Sequence, residues 1–253
     1  VGTAAQLGTV WGIAISKQAR KIFTSSFLKR HAGLGPLGGG GIYMIDPDDY
    51  STSYNYNWLD FDSDLNIPTS NESGTYTNAL IASNQVSFSP VIGTNSQRGM
   101  TGNKLDPSED AAAWEQVGKV SFGDLDISED GRWLYVVNLY DRKLYQMDLV
   151  NPFNPVKPVL ADVGTKVKGF TIPDPCSGNA GEHMPFAVKV TRGKVFVGLV
   201  CNGQALNGTT IGTANDLMGY IYEFDVATET FNSTPILSFP LNYRSATANP
   251  WLP

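Results

Sequence analysis

The sequence predicts an all-β protein, more specifically a β-propeller of four-stranded antiparallel blades, and three observations lead to this prediction. The 253 residues include 26 Gly and 15 Pro, and short apolar stretches alternate with turn residues along most of the chain. Helical periodicity is almost absent, with one or two turns at 108–116 as the sole candidate. A strand, turn, strand, loop, strand pattern occurs three times, and stacked copies of one such sheet are typical of propellers.

The three repeats span 8–47, 119–149 and 185–226, and their sequences superimpose when they are aligned from Trp11, Gly123 and Pro185. An aspartate closes the last strand of each repeat. The second and third repeats have hairpin turns that contain glycine, which adopts the positive φ such turns require. Their middle strands are continuously apolar, as expected of strands buried on both faces. Since one sheet cannot cover its own faces, the repeats should stack; a sandwich of unrelated hairpins is the alternative.

We interpret 1–253 as a single, incomplete propeller domain of about three and a half blades. Residues 48–118 are a long acidic insertion, rich in Asn, Ser and Thr, that should supply part of a blade and an elaborated loop on one rim. Residues 236–253 are interpreted as the start of a further blade. Because so few blades cannot close a ring, the remainder of the same polypeptide or further copies of the chain should cover the open edges.

The charge balance restricts the partners. The chain has 18 Lys and Arg against 24 Asp and Glu, a formal net charge of −6. Nucleic acids and anionic membranes require a basic surface, so neither is expected as a partner. No stretch of 18 apolar residues occurs in the sequence, and no membrane-spanning helix is predicted. The ends lack the features of natural termini, which suggests a processed or partial chain.

The two cysteines point to an exported protein. Cys176 and Cys201 lie in or next to loops rich in Gly and Asn. We predict that they form one disulfide that closes a loop of about 25 residues, which would stabilise the fold by roughly 3 kcal/mol. Two unrelated buried thiols are the alternative. Glycosylation sequons at Asn71, Asn207 and Asn232 fit an extracellular or cell-surface location if the host glycosylates.

One acidic segment is the best candidate for a metal site. Asp60, Asp62, Asp64 and Asn66 alternate with other residues, which places three carboxylates and an amide on one side of an extended segment. Such oxygen ligands suit Ca²⁺, the one cofactor that the sequence suggests. The segment departs from the EF-hand pattern because Leu65 stands where that loop requires glycine. A solvated acidic loop is the simpler interpretation.

Aromatic residues in the insertion are a candidate ligand-binding surface. Tyr54, Tyr56 and Trp58 alternate with asparagines. Exposed tyrosine and tryptophan rings suit both the flat faces of sugars and protein surfaces. We therefore expect this segment to bind a glycan or protein ligand.

Evidence for catalysis is thin, and no catalytic residues are assigned. The nucleophile and metalloprotease motifs are absent from the sequence. Asp124 and Asn138 could hold a metal in a central channel, which would fit a metal-dependent lactonase-like hydrolase on a six-bladed propeller. Apolar residues near Trp11 and Phe186 argue against a symmetric acidic ring. The neighbouring Glu182 and His183 are expected to be ordinary surface residues.

The sequence also resembles a β-propeller module of large bacterial secreted and cell-surface proteins that often carry SdrD-B-like repeat domains. The segments that carry the resemblance lie in all three repeats: Gly8–Ala14, Phe27–His31, Gly33–Gly38, Gly41–Asp46, Asp124–Asp148, Met184–Lys189 and Gly193–Cys201. The resemblance implies an exported, envelope-attached or filament-like protein. It brings no catalytic residues with it.

These observations favour a non-catalytic extracellular module for adhesion, ligand binding or assembly of a surface structure. A lactonase-like hydrolase and a purely structural filament subunit are the alternatives. Binding and structural roles are not separated by the sequence.

Overall fold

The computed structural model describes residues 2–49, 51, 53–70, 92–100, 102–103, 105–106, 108–114, 116–176, 181–203 and 213–241. In these residues the fold is all-β, as predicted, with three antiparallel sheets of four to five strands and a few short helices. The α-helices are α1 (Ala4–Leu7), α2 (Phe61–Asp64) and α3 (Ala111–Trp114), and 3-10 turns occur at Gly38–Gly40, Leu160–Asp162 and Ala214–Asp216. Among the described helices, none has the length and apolar character needed to cross a membrane.

Each sheet is an antiparallel meander that follows the chain order. The first sheet contains β1 (Val10–Ser16), β2 (Lys21–Ser26), β3 (Gly41–Ile45) and β4 (Asn57–Asp60). The second contains β5 (Phe122–Ile127), β6 (Trp133–Asn138), β7 (Lys143–Asp148) and β8 (Val167–Thr171). The third contains β9 (His183–Thr191), β10 (Lys194–Cys201), β11 (Met218–Asp225), β12 (Thr230–Phe231) and β13 (Leu237–Pro240).

The last strand differs from the prediction. Residues 236–253 were expected to begin a further blade, whereas β13 pairs with β11 and belongs to the third sheet. Both β12 and β13 pair with β11 and lie along the same edge of it, and Ile221 of β11 is the register partner of Leu237 in β13. Together they take the position of the fourth strand of the sheet. Residues 242–253 lie outside the described part of the chain. The insertion at 48–118 supplies the fourth strand of the first sheet, β4.

The aspartates that close the repeats share one structural role. Asp46 directly follows the third strand of its sheet, and Asp148 and Asp225 are the last residues of theirs. Each accepts a hydrogen bond from the backbone N–H two residues later, at 3.0, 2.8 and 2.8 Å. Such side-chain turns end a strand by offering the backbone a local partner. The repeated aspartate is thus a turn residue.

The strand registers match the three sheets position by position. A tyrosine occupies the same place in the third strand of each sheet and pairs with the middle of the second strand: Tyr43 with Thr24, Tyr145 with Val136, and Tyr222 with Val197. All three tyrosines are buried. A bulge near the start of the first strand also recurs in every sheet. The three sheets are therefore copies of one structural unit.

The sheets stack in chain order, and the second sheet is covered on both faces. One apolar core lies between the first and second sheets and includes Phe23, Ile42, Leu59, Leu125, Leu134 and Met147. A second core lies between the second and third sheets and includes Tyr135, Val137, Leu144, Val188, Val195 and Phe224. Burial of these side chains supplies the main favourable term in folding.

The first strands of the three sheets converge. We call β1, β5 and β9 the inner strands, because β1 packs beside β5 and β5 packs beside β9. The rings of Trp11 in β1 and Phe186 in β9 are 5.4 Å apart between centroids. Gly123 of β5 lies between these strands, and a Cβ at this glycine would meet the carbonyl oxygen of Phe186 at 2.4 Å. Sheets stacked flat are about 10 Å apart, which would separate the first from the third by about 20 Å. The inner edges therefore lie much closer together than in a flat stack.

Candidate functional site

Most residues between the strands belong to connections that begin and end at one end of the sheets, which we call the loop end. They are the connections at 27–40, 61–121, 172–182 and 202–217, together with the shorter 139–142, whereas the connections at 46–56 and 149–166 lie at the opposite end. At the opposite end, the turn end, the hairpin at 192–193 has φ angles of +51° and +71°, as its predicted tight turn requires. Binding residues are found disproportionately on loops held by a rigid scaffold, so the loop end is the candidate site.

A disulfide joins one of these connections to the end of a strand. Cys176, in the connection between β8 and β9, is bonded to Cys201 at the end of β10, with 5.7 Å between the Cα atoms. Cys201 is buried, and its register partner in β9 is His183. The disulfide therefore fixes the 172–182 connection to the third sheet.

A cluster of polar and charged side chains lies beside the disulfide, in which Arg142, Glu182 and His183 are buried and the Asp174 side chain is half exposed. Arg142 Nη2 is 3.4 Å from Glu182 Oε2, and His183 Nδ1 is 3.1 Å from Asp174 Oδ2. Burial raises the pKa of Asp174, but the interaction with His183, the backbone N–H of Cys176 and the charge of Arg142 together outweigh this effect, and the pKa lies below its ordinary value. The expectation that Glu182 and His183 are surface residues is wrong, since both are buried. The cluster ties the 172–182 connection to the turn between β6 and β7.

A second buried ion pair holds the insertion against the first sheet. Arg98 contacts both carboxylate oxygens of Asp110, at 3.0 Å from Nε and 2.7 Å from Nη2, and the two side chains are 1% and 0% exposed. Asp110 also accepts the backbone N–H of His31 at 2.8 Å, while Arg98 donates to the carbonyls of Lys29 and Ala32. Burial raises the pKa of Asp110, but the hydrogen bonds from Arg98 and from the backbone N–H of His31, with the charge of Arg98, together lower it below its ordinary value. The loop around His31 is thus fixed.

This fixed loop presents an aromatic ring and a cation together. The guanidinium of Arg30 lies 4.8 Å from the centroid of the Trp114 ring. Arg30 also donates two hydrogen bonds to the carbonyl of Glu109, at 3.2 and 2.8 Å. The Trp114 side chain is nevertheless 68% exposed. We call Arg30 and Trp114 the exposed stack.

The predicted calcium ligands lie at the end of β4, where their carboxylates bond within the protein. Asp60 accepts the backbone N–H of Asp62 at 3.0 Å and caps α2. Asp62 accepts from the N–H and hydroxyl of Thr69, at 2.9 and 2.5 Å. Asp64 accepts the N–H of Asp60 and lies 2.7 Å from Lys157 Nζ. The three aspartates therefore stabilise the turn that follows β4.

The fourth predicted ligand, Asn66, has a φ of +57°, the left-handed conformation that asparagine tolerates well. Within the described ranges, no group of three or more His, Cys, Asp or Glu side chains is arranged to hold a metal ion. Calcium binding at this segment stays a prediction.

The aromatic segment is placed differently from the expectation. Tyr56 and Trp58 are only 6% and 7% exposed, so the prediction that their rings face solvent is wrong. Trp58 packs edge-on against Phe23, with 4.9 Å between the ring centroids. Tyr54 is half-buried and donates its hydroxyl hydrogen to the carbonyl of Met44 at 3.1 Å. Alternation with asparagine indicates a strand, but it does not identify which face of that strand is covered.

The two residues that a hydrolase would need, Asn138 and Asp124, bond to the backbone. Asn138 is buried, donates to the carbonyl of Pro68 at 2.9 Å and accepts the N–H of Tyr140 at 3.0 Å. Asp124 accepts the N–H of Leu125 at 3.0 Å, and burial raises its pKa. Both side chains thereby help to hold the strand and turn geometry of the second sheet.

Asp141 gives the loop end a testable pH dependence. Its side chain is 11% exposed, accepts a hydrogen bond from the Tyr145 hydroxyl, and lies 3.8 Å from Lys143 Nζ. Burial raises the pKa of Asp141 from 3.8 to about 6. The folded protein therefore holds this proton more tightly than the unfolded chain, and the resulting stabilisation, full below pH 3.8, is lost as the pH rises through about 6.

We expect Asp141→Asn to be more stable than the parent at pH 8, by about 1–2 kcal/mol, because the buried negative charge is removed. The difference should shrink toward pH 4. Urea denaturation at both pH values measures it. Asp148→Asn is the control with the opposite sign, because the hydrogen bond from Arg132 lowers the pKa of Asp148. An Asp141→Asn variant that is less stable than the parent at pH 8 would contradict the prediction.

Comparison with known proteins identifies amoebal relatives. No family model matches the chain. Colossin-D of Dictyostelium discoideum is 26% identical over 226 residues, which cover 88% of this chain and 19% of colossin-D. Colossin-A from the same organism is 26% identical over 261 residues, with coverages of 97% and 2%, and colossin-C is 25% identical over 238 residues, with coverages of 93% and 19%. The chain thus spans a fifth or less of these relatives, and the inferred kinship with bacterial surface proteins is wrong because the relatives found are eukaryotic.

Proposed function

We propose that the three sheets are blades of a β-propeller and that the chain is a non-catalytic extracellular module that binds a ligand through its loop end. In a propeller the first strand of every blade lies next to a central axis. The approach of Trp11 to Phe186 across the intervening Gly123 supports this arrangement. The matching registers of the three sheets support it as well.

The covalent chemistry favours an exported protein. A structural disulfide persists in oxidising compartments such as the cell exterior and is rare in the cytosol. Asn232, one of the three sequon asparagines, is exposed and could accept a glycan. Asn71 and Asn207 lie outside the described residues.

The observation that carries the binding proposal is the exposed stack of Arg30 and Trp114. Tryptophan and arginine are the side chains most enriched at the centres of binding surfaces. A tryptophan ring packs well against the apolar face of a sugar, and a guanidinium can pair with an acidic group on it. The ion pair of Arg98 with Asp110 fixes the loop beneath the stack, so little ordering entropy is lost on binding. An acidic glycan is therefore the ligand that suits this surface best.

The labelled protein is expected to bind acidic members of a glycan array that also carries neutral glycans. Trp114→Ala should reduce this binding roughly tenfold or more, because the ring supplies the main apolar contact. Phe153→Ala is the matched control, since Phe153 is an equally exposed aromatic residue at the turn end. Binding to none of the glycans, or an equal loss in the two variants, would contradict the proposal.

A further inference from the structure

The residues that face the preceding sheet in the second and third sheets have equivalents in the first sheet. These equivalents are exposed, whereas those of the second and third sheets are buried. The register places Ile13, Leu125 and Val188 at one equivalent position of the inner strands, and Ile15, Ile127 and Val190 at another. In the second and third sheets these side chains are at most 8% exposed, because the preceding sheet covers them. In the first sheet Ile13 is 63% exposed and Ile15 is 58% exposed. The outward face of the first sheet, which we call the leading face, therefore has the residues of a sheet-to-sheet junction but no cover among the described residues.

At the opposite end of the stack, the third sheet exposes a residue whose equivalents in the first two sheets contact the following sheet. Leu59, Phe170 and Leu237 occupy one equivalent position on the face toward the following sheet. Leu59 is fully buried and Phe170 contacts Phe224 of the third sheet, whereas Leu237 is 49% exposed. Its neighbour Phe239 is also 40% exposed. We call this outward face of the third sheet the trailing face.

We propose that a second copy of this chain docks head-to-tail, with the trailing face of one copy packed on the leading face of the other. The inference rests on the proposed propeller and names the partner that completes it. The same kind of junction occurs twice inside the chain, and one copy carries both of its halves. A head-to-tail contact closes into a ring when its rotation allows. Two copies contribute six sheets, within the range of four to eight blades of known propellers.

The chemistry of the two faces fits mutual burial. The leading face carries four isoleucines at register-matched positions: Ile13, Ile15, Ile22 and Ile45. On the trailing face, Lys194 is paired with Glu223 at 2.9 Å and Lys189 with Asp126 at 2.7 Å. Docking would therefore not leave these two lysines as unpaired buried charges, which are the costly element of an interface. Apolar patches of this kind are uncommon on monomers and mark interaction surfaces.

Light scattering coupled to size exclusion tests the proposal at about 100 μM protein, well above the dissociation constant of a micromolar dimer. The unmodified chain should have twice the mass of one copy. Ile15→Lys blocks the leading face and Leu237→Lys blocks the trailing face, so each variant alone should be monomeric. An equimolar mixture of the two variants should form a dimer again, because one junction has both of its faces unmodified. Phe153→Lys, at an exposed site on neither face, should stay dimeric.

A monomeric parent chain overturns the proposal. So does a Leu237→Lys variant that stays dimeric, or a mixture that stays monomeric, because a head-to-tail contact needs one face from each copy. Both lysine variants replace exposed side chains, and an unchanged circular-dichroism spectrum with a cooperative urea transition would show that they are folded, since loss of the dimer by itself lowers the apparent stability. Glycan-array binding by the monomeric variants separates the two ideas, since its retention would support the proposed function whatever the mass measurements give.

Discussion

Replacing Arg98 by methionine is expected to lower the free energy of unfolding by about 3–5 kcal/mol. The change leaves Asp110 buried with a charge that its guanidinium partner no longer compensates. It also removes the hydrogen bonds to the carbonyls of Lys29 and Ala32, which hold the loop next to the exposed stack. Urea denaturation at pH 7 measures the loss.

Two controls distinguish the buried pair from a general effect of removing arginine. Arg20→Met breaks an ion pair with Asp48 whose side chains are largely exposed, and it should cost less than about 1 kcal/mol. Arg98→Met combined with Asp110→Leu should recover much of the stability, because no isolated charge remains buried. A loss below about 1 kcal/mol for Arg98→Met alone would show that the pair is not buried as described.

The same pair contributes to acid sensitivity. Because the pKa of Asp110 lies below its ordinary value, its contribution is present above that ordinary value and is lost as the pH falls through the lower, folded-state pKa. The double variant should therefore lose less stability on acidification than the parent. This pH dependence is opposite in sign to that of Asp141, whose proton stabilises the folded state.

The local features of the fold follow from the sequence because they depend on neighbouring residues. Alternation of apolar and polar residues indicates the strands, and glycine indicates the hairpin turns. The aspartates that close the repeats form side-chain turns with residues close in the sequence. The alignment of the first two repeats from Trp11 and Gly123 agrees with the strand registers. In the third repeat the register aligns Phe186, not Pro185, with Gly123. A slip of one residue exchanges the two faces of a strand, and the bulge that decides it has no clear sequence signal.

Features that depend on distant residues could not be predicted. The burial of Glu182 and His183 involves Arg142, which reaches them from the turn between β6 and β7, and Asp174, which lies earlier in the 172–182 connection. The pairing of Leu237–Pro240 with β11 depends on a free sheet edge that an apolar strand does not itself specify. The ion pair between Arg98 and Asp110 joins two ordinary polar residues of the insertion. The sequence alone does not distinguish either residue from other charged residues, because their burial depends on the loop around His31, which packs against them.

Loss of the disulfide is expected to lower the free energy of unfolding by about 3 kcal/mol. Cys176 and Cys201 are 25 residues apart, and a cross-link over a loop of this length removes entropy from the unfolded chain. Urea denaturation of Cys176→Ser combined with Cys201→Ser measures the effect. The parent treated with a reductant should approach the stability of this variant, and the variant itself should not respond to the reductant.

The disulfide should also affect which segment of the folded chain unfolds locally. Its removal should raise amide hydrogen exchange in the 172–176 segment, because the covalent link to β10 is then lost and noncovalent contacts such as those of Asp174 and Arg142 remain. Exchange in β6, at the centre of the covered second sheet, should change only through the global loss of stability. If the serine variant were as stable as the parent, the prediction would be wrong, because the cross-link would then add nothing to the stability of the folded state. A loss confined to the 172–176 segment would instead mean that this end of the protein unfolds locally, so that reduction could release the loop end while the stacked sheets remain intact.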